Sequence, residues 1–405
     1  MTTAQAADAL AELLDPVNRA DPYAAHAALR AAGPVLLADD RPVPVALVGR
    51  YAHCAALLRD PRLSVAPPGG APMRSFLFLD PPDHTRLRRL VSAAFTPRMV
   101  EGLRPRITAL VDELLDAALP TAGRAVVEVV DAVASPLPVR VICDLLGVPT
   151  GDVERFRAWS SALAEGLDLL IAPGTERPEG LAARARAAAE LQGHLREVIA
   201  ARRDDPGEDL LSALIAVRDG ADVLDDDELL ATCALLLLAG HETSVNLISG
   251  GLRALLRLPG ELDALRAEPG RAPGVVEEVL RLEPPFQLVT RRALADVEVG
   301  GVVLPEGCRV VLLLAAANRD PDRFPDPDRF VPGRSGRHLA FGAGVHYCLG
   351  APLAKLEADV ALGALARRLV DPELVADPPR YRAGVTLRGP AELHVRTGPG
   401  ATTPG

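Results

Sequence analysis

The chemistry written into this 405-residue chain concentrates at Cys348. The residue stands in Phe341-Gly342-Ala343-Gly344-Val345-His346-Tyr347-Cys348-Leu349-Gly350, followed by the apolar Ala351-Pro352-Leu353-Ala354. Glycines around one sulfur describe a loop that turns tightly and brings backbone N–H groups close to it before a helix begins. Such a loop suits an axial thiolate on a haem iron, because the surrounding donors temper the charge of the sulfur. The positive N-terminal end of the following helix is expected to lower the thiol pKa. The plainer alternative is a buried structural cysteine in a glycine-rich turn, since free cysteine is often buried.

A second cluster is Ala239-Gly240-His241-Glu242-Thr243-Ser244, set into a nearly continuous run of Leu and Ala. Residues 226–255 read as one long helix, opened by Asp225-Asp226-Asp227-Glu228 with an Asp N-cap, a Glu three residues later and clustered acids in the first turn. At 1.5 Å per residue it would run roughly 45 Å, the width of a domain. Gly240 costs that helix about 1 kcal/mol, and Glu242 brings an ionisable group into an apolar interior. One reading is an internal hydrogen-bonded network. The other is an acid-alcohol pair beside a groove opened by the glycine, with Thr243 holding a water or an oxygen and Glu242 linking it to bulk protons.

The Cys348 stretch resembles the haem-ligand loop of the cytochrome P450 family, Phe-Gly-x-Gly-x-His-x-Cys-x-Gly, at every fixed position. Ala239 to Ser244 resembles the same family's oxygen-activation motif, Ala/Gly-Gly-x-Asp/Glu-Thr-Thr/Ser. The resemblance implies a mainly α fold with small peripheral β-sheets. Haem b (iron protoporphyrin IX) would lie between the long central helix and the Cys-loop helix, with Cys348 on the iron and Glu242 and Thr243 as the catalytic pair. Glu278 and Arg281 resemble the family's Glu-x-x-Arg, whose buried pair locks its helix to the segment ahead of the haem loop; Arg329 is the expected third member. Taken alone, the same pair reads as a surface ion pair on a helix.

Haem carries two propionates, so its edge needs donors and cations. The resemblance gives His84, Arg88, Arg291 and His346 this role, with His84 and Arg88 an i, i+4 pair on one helix face. His84 stands where many members carry Trp. Arg292 rivals Arg291, which is chosen because it lies five residues before Asp296. His338 is expected to make a structural contact. Substrate-pocket residues implied by the resemblance are Phe76, Leu236, Ala239, Phe286, Leu288, Val289 and Leu387. They are apolar, so a hydrophobic or secondary-metabolite substrate is expected. The Pro- and Gly-rich stretch 65–79 is short, which suggests a wide mouth for a bulky or carrier-bound molecule.

The expected activity is monooxygenation, either hydroxylation or epoxidation, using dioxygen and two external electrons. Two alternatives remain: an oxidative coupling enzyme on the same scaffold, and a haem-binding protein without chemistry. The Glu242-Thr243 pair speaks against the latter. No flavin, nicotinamide or iron-sulfur motif is visible, so a ferredoxin or flavodoxin-type partner with its reductase is implied. Arg86, Arg89, Arg98 and Lys355 flank the thiolate side and form a candidate docking patch, unless they are only solvated helix faces.

Composition agrees. With 49% hydrophobic residues the chain can bury a large core. No linker divides it, so residues 1–405 read as a single domain with short flexible termini at about 1–10 and 398–405. Five scattered cysteines without a C-x-x-C pair suggest reduced thiols rather than disulfides or zinc. A net charge of -10 argues against nucleic acid as a partner. The longest apolar runs fall short of the roughly 20 residues that span a bilayer, so a cytoplasmic monomer is expected. Hairpins are expected over 34–48, turning around Asp39-Asp40, over 297–304 at Gly300-Gly301, and over 385–395 at Gly389-Pro390. Residues 51–59 and most of 85–258 should be helical.

Overall fold

The computed structural model describes residues 8, 11–38, 42–67, 73–148, 151, 153–170, 178–218 and 222–400. Helices dominate, and the strands lie at the periphery, as the resemblance implies. In chain order the strands are β1 (Val35–Ala38), β2 (Val45–Val48), β3 (Leu63–Ser64), β4 (Ala125–Glu128), β5 (Val289–Ala293), β6 (Val297–Val299), β7 (Val302–Leu304), β8 (Arg309–Leu312), β9 (Glu373–Leu374) and β10 (His394–Thr397). They form sheets in the orders β1-β2-β8-β5-β3, β4-β10-β9 and β6-β7. The expected hairpins β1-β2 and β6-β7 are present, the latter turning on Gly300 and Gly301 with positive φ. Asp39 and Asp40 lie outside the described residues.

The hairpin expected over 385–395 does not form. The segment makes isolated bridges, Phe286 to Leu387 and Tyr381 to Pro390, and then β10 crosses to β4. Long-range pairing has overridden a local turn signal. Similarly, β4 interrupts the helical run expected over 85–258. At the C-terminal end, Gly398 and Gly400 donate backbone hydrogen bonds to Val370 and Pro120, so the loose end expected from residue 398 is tied down to residue 400.

The central helix Asp226–Arg257 carries the predicted capping box: Asp225 accepts from the Glu228 N–H, and Glu228 accepts from the Asp225 N–H. Contrary to the sequence expectation, it is long and apolar enough to cross a membrane by length and composition. However, 78% of its most apolar window is buried against protein, so it is a core helix. It packs into one large apolar cluster with the helices Arg104–Ala118, Pro136–Leu146, Ala272–Leu282 and Ala351–Arg368. At Gly251 three helices meet: a Cβ there would stand 3.0 Å from Leu362 and 3.3 Å from Val279. Glycine lets these backbones approach closely, and that approach sets the spacing between the helix bearing Thr243 and the helix that follows Cys348.

The helix Ala272–Leu282 holds the meander ahead of the Cys348 loop. Arg281 forks onto Glu278 with two contacts of 2.8 Å, and both side chains are buried. Its remaining donors reach the carbonyls of Asn318, Pro327 and Arg329 at 2.6–3.0 Å. Glu278 in turn accepts from the Val331 N–H at 2.8 Å. The third member of the cluster is Arg334, whose Nε lies 3.3 Å from Glu278, and not Arg329. The Arg329 side chain is 74% exposed and, among the described residues, pairs with Asp326; what it gives the clamp is its backbone carbonyl. The chain doubles back at 331–334, which turns the later arginine inward.

Removing Arg281 strands a buried carboxylate, so Arg281→Ala is expected to cost about 3–5 kcal/mol and the ability to retain haem. Arg334→Ala should cost about 1–3 kcal/mol, and Arg329→Ala should stay within about 0.5 kcal/mol of the parent. Chemical denaturation of the three variants checks this ranking, and a large loss for Arg329→Ala would contradict the assignment.

Candidate active site

The Cys348 loop is shaped by its own backbone. The Cys348 N–H donates to the Phe341 carbonyl at 3.0 Å, and the Gly342 N–H donates to Leu339 at 2.8 Å. Gly344 has φ +72°, and a Cβ on it would meet the Leu58 carbonyl at 2.7 Å, so only glycine fits where the loop presses on the chain beyond Tyr51–Leu57. The Cys348 sulfur accepts from the N–H groups of Gly350 and Ala351, the start of the helix Ala351–Arg368. Crowding of the sulfur nevertheless pushes its thiol up. The Gly350 N–H, Arg88 and the Ala351 N–H act against this. The helix terminus does pull the thiol pKa down as expected, but desolvation outweighs it. A metal cation would favour the thiolate directly.

Around the loop, three segments bring together the predicted edge residues. His84 and Arg88 come from the helix Asp83–Ala94, Arg291 from β5, and His346 from the loop itself. The His84 and His346 rings lie 4.2 Å apart, and Arg88 Nη2 donates to the Tyr347 carbonyl at 2.7 Å. Desolvation, then His84 and Arg291, with a smaller push from Arg88, hold His346 down to about 3. Burial lowers Arg291 to about 10 despite the nearby Asp80, and its Nη1 donates only to the Thr290 carbonyl at 2.8 Å.

These residues fit a bound haem. His84 is 2% exposed, yet neither of its ring nitrogens has a partner, an uncommon state for a buried polar group. Among the described residues no carboxylate lies within 4.0 Å of Arg88 or Arg291. Buried donors and uncompensated cations are what two propionates require. Arg292 also has a buried Nε without a partner, so the strand leaves its rivalry with Arg291 to the electrostatics, where Arg291 acts on His346.

The oxygen side is the middle of the central helix. Ala239 is exposed, Gly240 and Thr243 are half-buried, and a Cβ on Gly240 would meet nothing within 4 Å; on either side the helix is almost wholly buried. The helix runs unbroken through Gly240, and the Thr243 hydroxyl donates to the Ala239 carbonyl at 2.8 Å. Glu242 points elsewhere: it accepts from Ser161 Oγ at 2.6 Å and lies 3.4 Å from Arg382 Nε. The Arg382 side chain is 31% exposed, so the carboxylate is connected to the surface.

Pocket expectations divide. Leu236, Ala239 and Thr243 share a stripe of the central helix, and Phe286 is bridged to Leu387. Leu288, however, is 1% exposed and packs among Leu36, Leu47 and Val311. Val289 packs on the second face of that sheet, and Phe76 sits edge-on to His84 with Arg88 5.5 Å from its ring. Of the stretch 65–79, residues 68–72 lie outside the described residues.

The expected docking patch is largely neutralised. Arg86 pairs with Glu228, Arg89 with Asp222 at 2.9 Å, and Lys355 with Glu277 at 2.5 Å, while Arg98 is exposed. Glu277 is a residue the sequence reading missed. It holds both His338, at 3.1 Å, and Lys355, and these two contacts keep its carboxyl down at about 2. His338 thus makes the structural contact expected of it, bracing Phe341 at the head of the loop. Also missed was Glu357, fully buried on the helix Ala351–Arg368, where Ser244, the neighbour of Thr243, hydrogen-bonds it. An acid within the apolar stripe Leu353, Leu356, Ala361 was the available signal.

Set beside known proteins, residues 32–387 match the family described as Cytochrome P450. The chain is 42% identical to 6-deoxyerythronolide B hydroxylase of Saccharopolyspora erythraea, over 93% of this chain and 96% of that one. The crystal structure of ligand-free Mycobacterium smegmatis CYP164A2 superposes with a TM-score of 0.88 at 46% identity, covering 96% of this chain and 99% of that one. P450BioI, in complex with an acyl carrier protein bearing hexadec-9Z-enoic acid, superposes with a TM-score of 0.86 at 36% identity, covering 94% and 98%.

Two outcomes are expected. His84→Phe keeps a ring but removes both nitrogens, and should weaken haem retention about 10- to 100-fold, measured by transfer to a haem acceptor. Burial raises the Glu357 carboxyl from 4.5 to about 8. The folded protein therefore keeps this proton where the unfolded chain releases it, and stability falls as pH rises from about 4.5 to 8. Glu357→Gln should remove that loss. Its melting temperature relative to the parent should climb across this window and level off above it; a flat difference would contradict the burial.

Proposed function

The chain belongs to the cytochrome P450 family and is a haem-thiolate monooxygenase, and we propose that it carries haem b and oxidises a hydrophobic secondary metabolite, bulky or carrier-bound. Its electrons would come from a ferredoxin or flavodoxin-type partner with its reductase, and the enzyme would work as a cytoplasmic monomer. What supports the reading best is one juxtaposition. The bare strip at Ala239 and Gly240, with Thr243 beside it, lies on the central helix, and that helix is pinned to the Cys348 helix through Gly251 and the Ser244–Glu357 contact.

When bound, haem supplies dioxygen binding and two-electron activation, with the thiolate favouring O–O cleavage. Cys348 would hold the haem iron through its sulfur. His84, Arg88, Arg291 and His346 would hold the propionate edge, with donors already buried for the purpose. The Thr243 hydroxyl spends its own proton on the Ala239 carbonyl, so its oxygen faces outward as an acceptor and can hold a protonated oxygen or a water in place. Glu242 can receive protons from the solvent side near Arg382 and release them after breaking its Ser161 contact.

The substrate reading rests on Leu236, Ala239, Phe286 and Leu387, which offer apolar surface and few polar anchors. It also rests on two similar proteins. One is named for hydroxylating 6-deoxyerythronolide B, and the other is in complex with an acyl carrier protein ligated to hexadec-9Z-enoic acid.

The reduced protein should show a thiolate-type Soret band with carbon monoxide, and Cys348→Ser should abolish it. Hydrophobic substrates should shift the ferric spin state. With such a substrate, Thr243→Ala is expected to keep consuming reductant while product yield drops at least about tenfold in favour of peroxide, and Glu242→Gln to slow turnover about 100-fold. Full coupling in Thr243→Ala would overturn its role.

A further inference from the structure

A cleft of about 390 Å³, lined by none of the haem-side residues, opens between the helix Tyr23–Ala32, the end of the central helix and the segments around Glu283 and Arg388. Five arginines line it: Arg30, Arg253, Arg257, Arg319 and Arg388. Against them stand Asp21, Glu283 and Asp328, an excess of two positive charges, or of one when Asp377 just outside is included.

These cations differ in how fully they are engaged. Arg388 is spent: it pairs with Glu283 and donates to Tyr23 Oη, the Arg19 carbonyl and the Ala20 carbonyl. Arg253 is held by Asp377 and Tyr381, and Arg257, at the rim, pairs with the other oxygen of Asp377 at 2.8 Å. Arg30 is not. It is 8% exposed, its Nη1 donates to the Ala316 carbonyl at 2.9 Å, and no carboxylate lies within 4.0 Å of it among the described residues. Arg319 is also 8% exposed, and its Nε is buried without a partner, although Asp328 and the Leu282 carbonyl take its other nitrogens. Its guanidinium is stacked 3.5 Å over the Tyr23 ring, which fixes the plane of the fork.

The field is positive on the Arg30 side of this region, whereas at Arg319 the nearby Glu283 and Asp328 pull the other way. His26, one turn along from Tyr23, is pushed down to about 3 by burial and then by Arg30, Arg388 and Arg319, with no carboxylate opposing them. Burial also lowers Arg30, and Arg319 and Arg50 repel it against the pull of Asp320 and Asp328. The planar guanidinium fork of Arg30, with no carboxylate beside it among the described residues, in a cleft with an excess of positive charge, suits a small oxyanion.

We propose that this cleft is a binding site for a small anion bearing carboxylate or phosphate groups, held by Arg30 and Arg319 with Arg257 at the rim. It is separate from the haem-side residues and requires nothing of the oxidation reaction.

The test uses the haem-loaded protein, titrated calorimetrically with inorganic phosphate and with succinate at an ionic strength fixed by sodium chloride. Saturable binding of at least one is expected, with a rise in melting temperature beyond that of chloride alone. Phosphate alone would identify a phosphate-bearing ligand, and succinate alone a carboxylate. Arg30→Gln and Arg257→Gln should each weaken binding about tenfold or more, while the carbon-monoxide spectrum and basal turnover stay unchanged. Arg257 is half-exposed, so its variant tests the site even if Arg30→Gln folds poorly. Melting that follows ionic strength alone would overturn the proposal, as would binding unaltered in both variants.

Discussion

The buried fork between Arg281 and Glu278 is the contact on which the rest of the structure depends. Neither charge could stay inside the protein alone, and together they still leave donors and acceptors to be satisfied. Backbone carbonyls of Asn318, Pro327 and Arg329, the Val331 N–H and the Arg334 side chain satisfy them. A stretch of chain with no regular secondary structure is thereby fastened to a helix. Asn318 then accepts from the Leu339 N–H at 2.7 Å, so the fastening reaches the first residues of the Cys348 loop. Glu277, on the adjacent position of the same helix, secures the loop from its other side through His338 and Lys355.

The two faces of the site differ in electrostatic character. Along one edge, Arg88, Arg291 and two histidines are gathered with no carboxylate within 4.0 Å of either arginine among the described residues, and burial, then the neighbouring cations, hold both histidines down against the pull of Asp80. That arrangement is unfavourable by itself and is offset when anionic groups are present, so haem binding and folding are coupled through it. The opposite side, at Ala239 and Gly240, is small and bare. Its one hydroxyl is oriented by the helix backbone, and its acid is buried against Ser161 and the partly exposed Arg382.

How much was legible in the sequence follows from how local each signal is. The Cys348 loop, the capping box at Asp225 and the Glu242-Thr243 insertion depend on neighbours within a few residues, and the structure has them where expected. Arg334 was mistaken for Arg329 because which arginine turns inward depends on a fold-back of the meander that no spacing encodes. Leu288 was placed in the pocket because strand alternation gives two faces without saying which one faces the ligand. The pairing within the basic patch was not legible for a similar reason: Asp222, Glu228 and Glu277 come from distant parts of the chain.

Gly251 carries a consequence for how this scaffold can diversify. With Leu362 and Val279 already at contact distance, the three helices cannot slide or spread around it without losing their packing. The separation between the thiolate side and the oxygen side is thus a fixed dimension of the molecule. Selectivity for different substrates must then be written into the irregular segments, such as 73–79 and the bridge between Phe286 and Leu387. Directed-evolution libraries confined to those segments would explore substrate choice while leaving the reaction geometry intact.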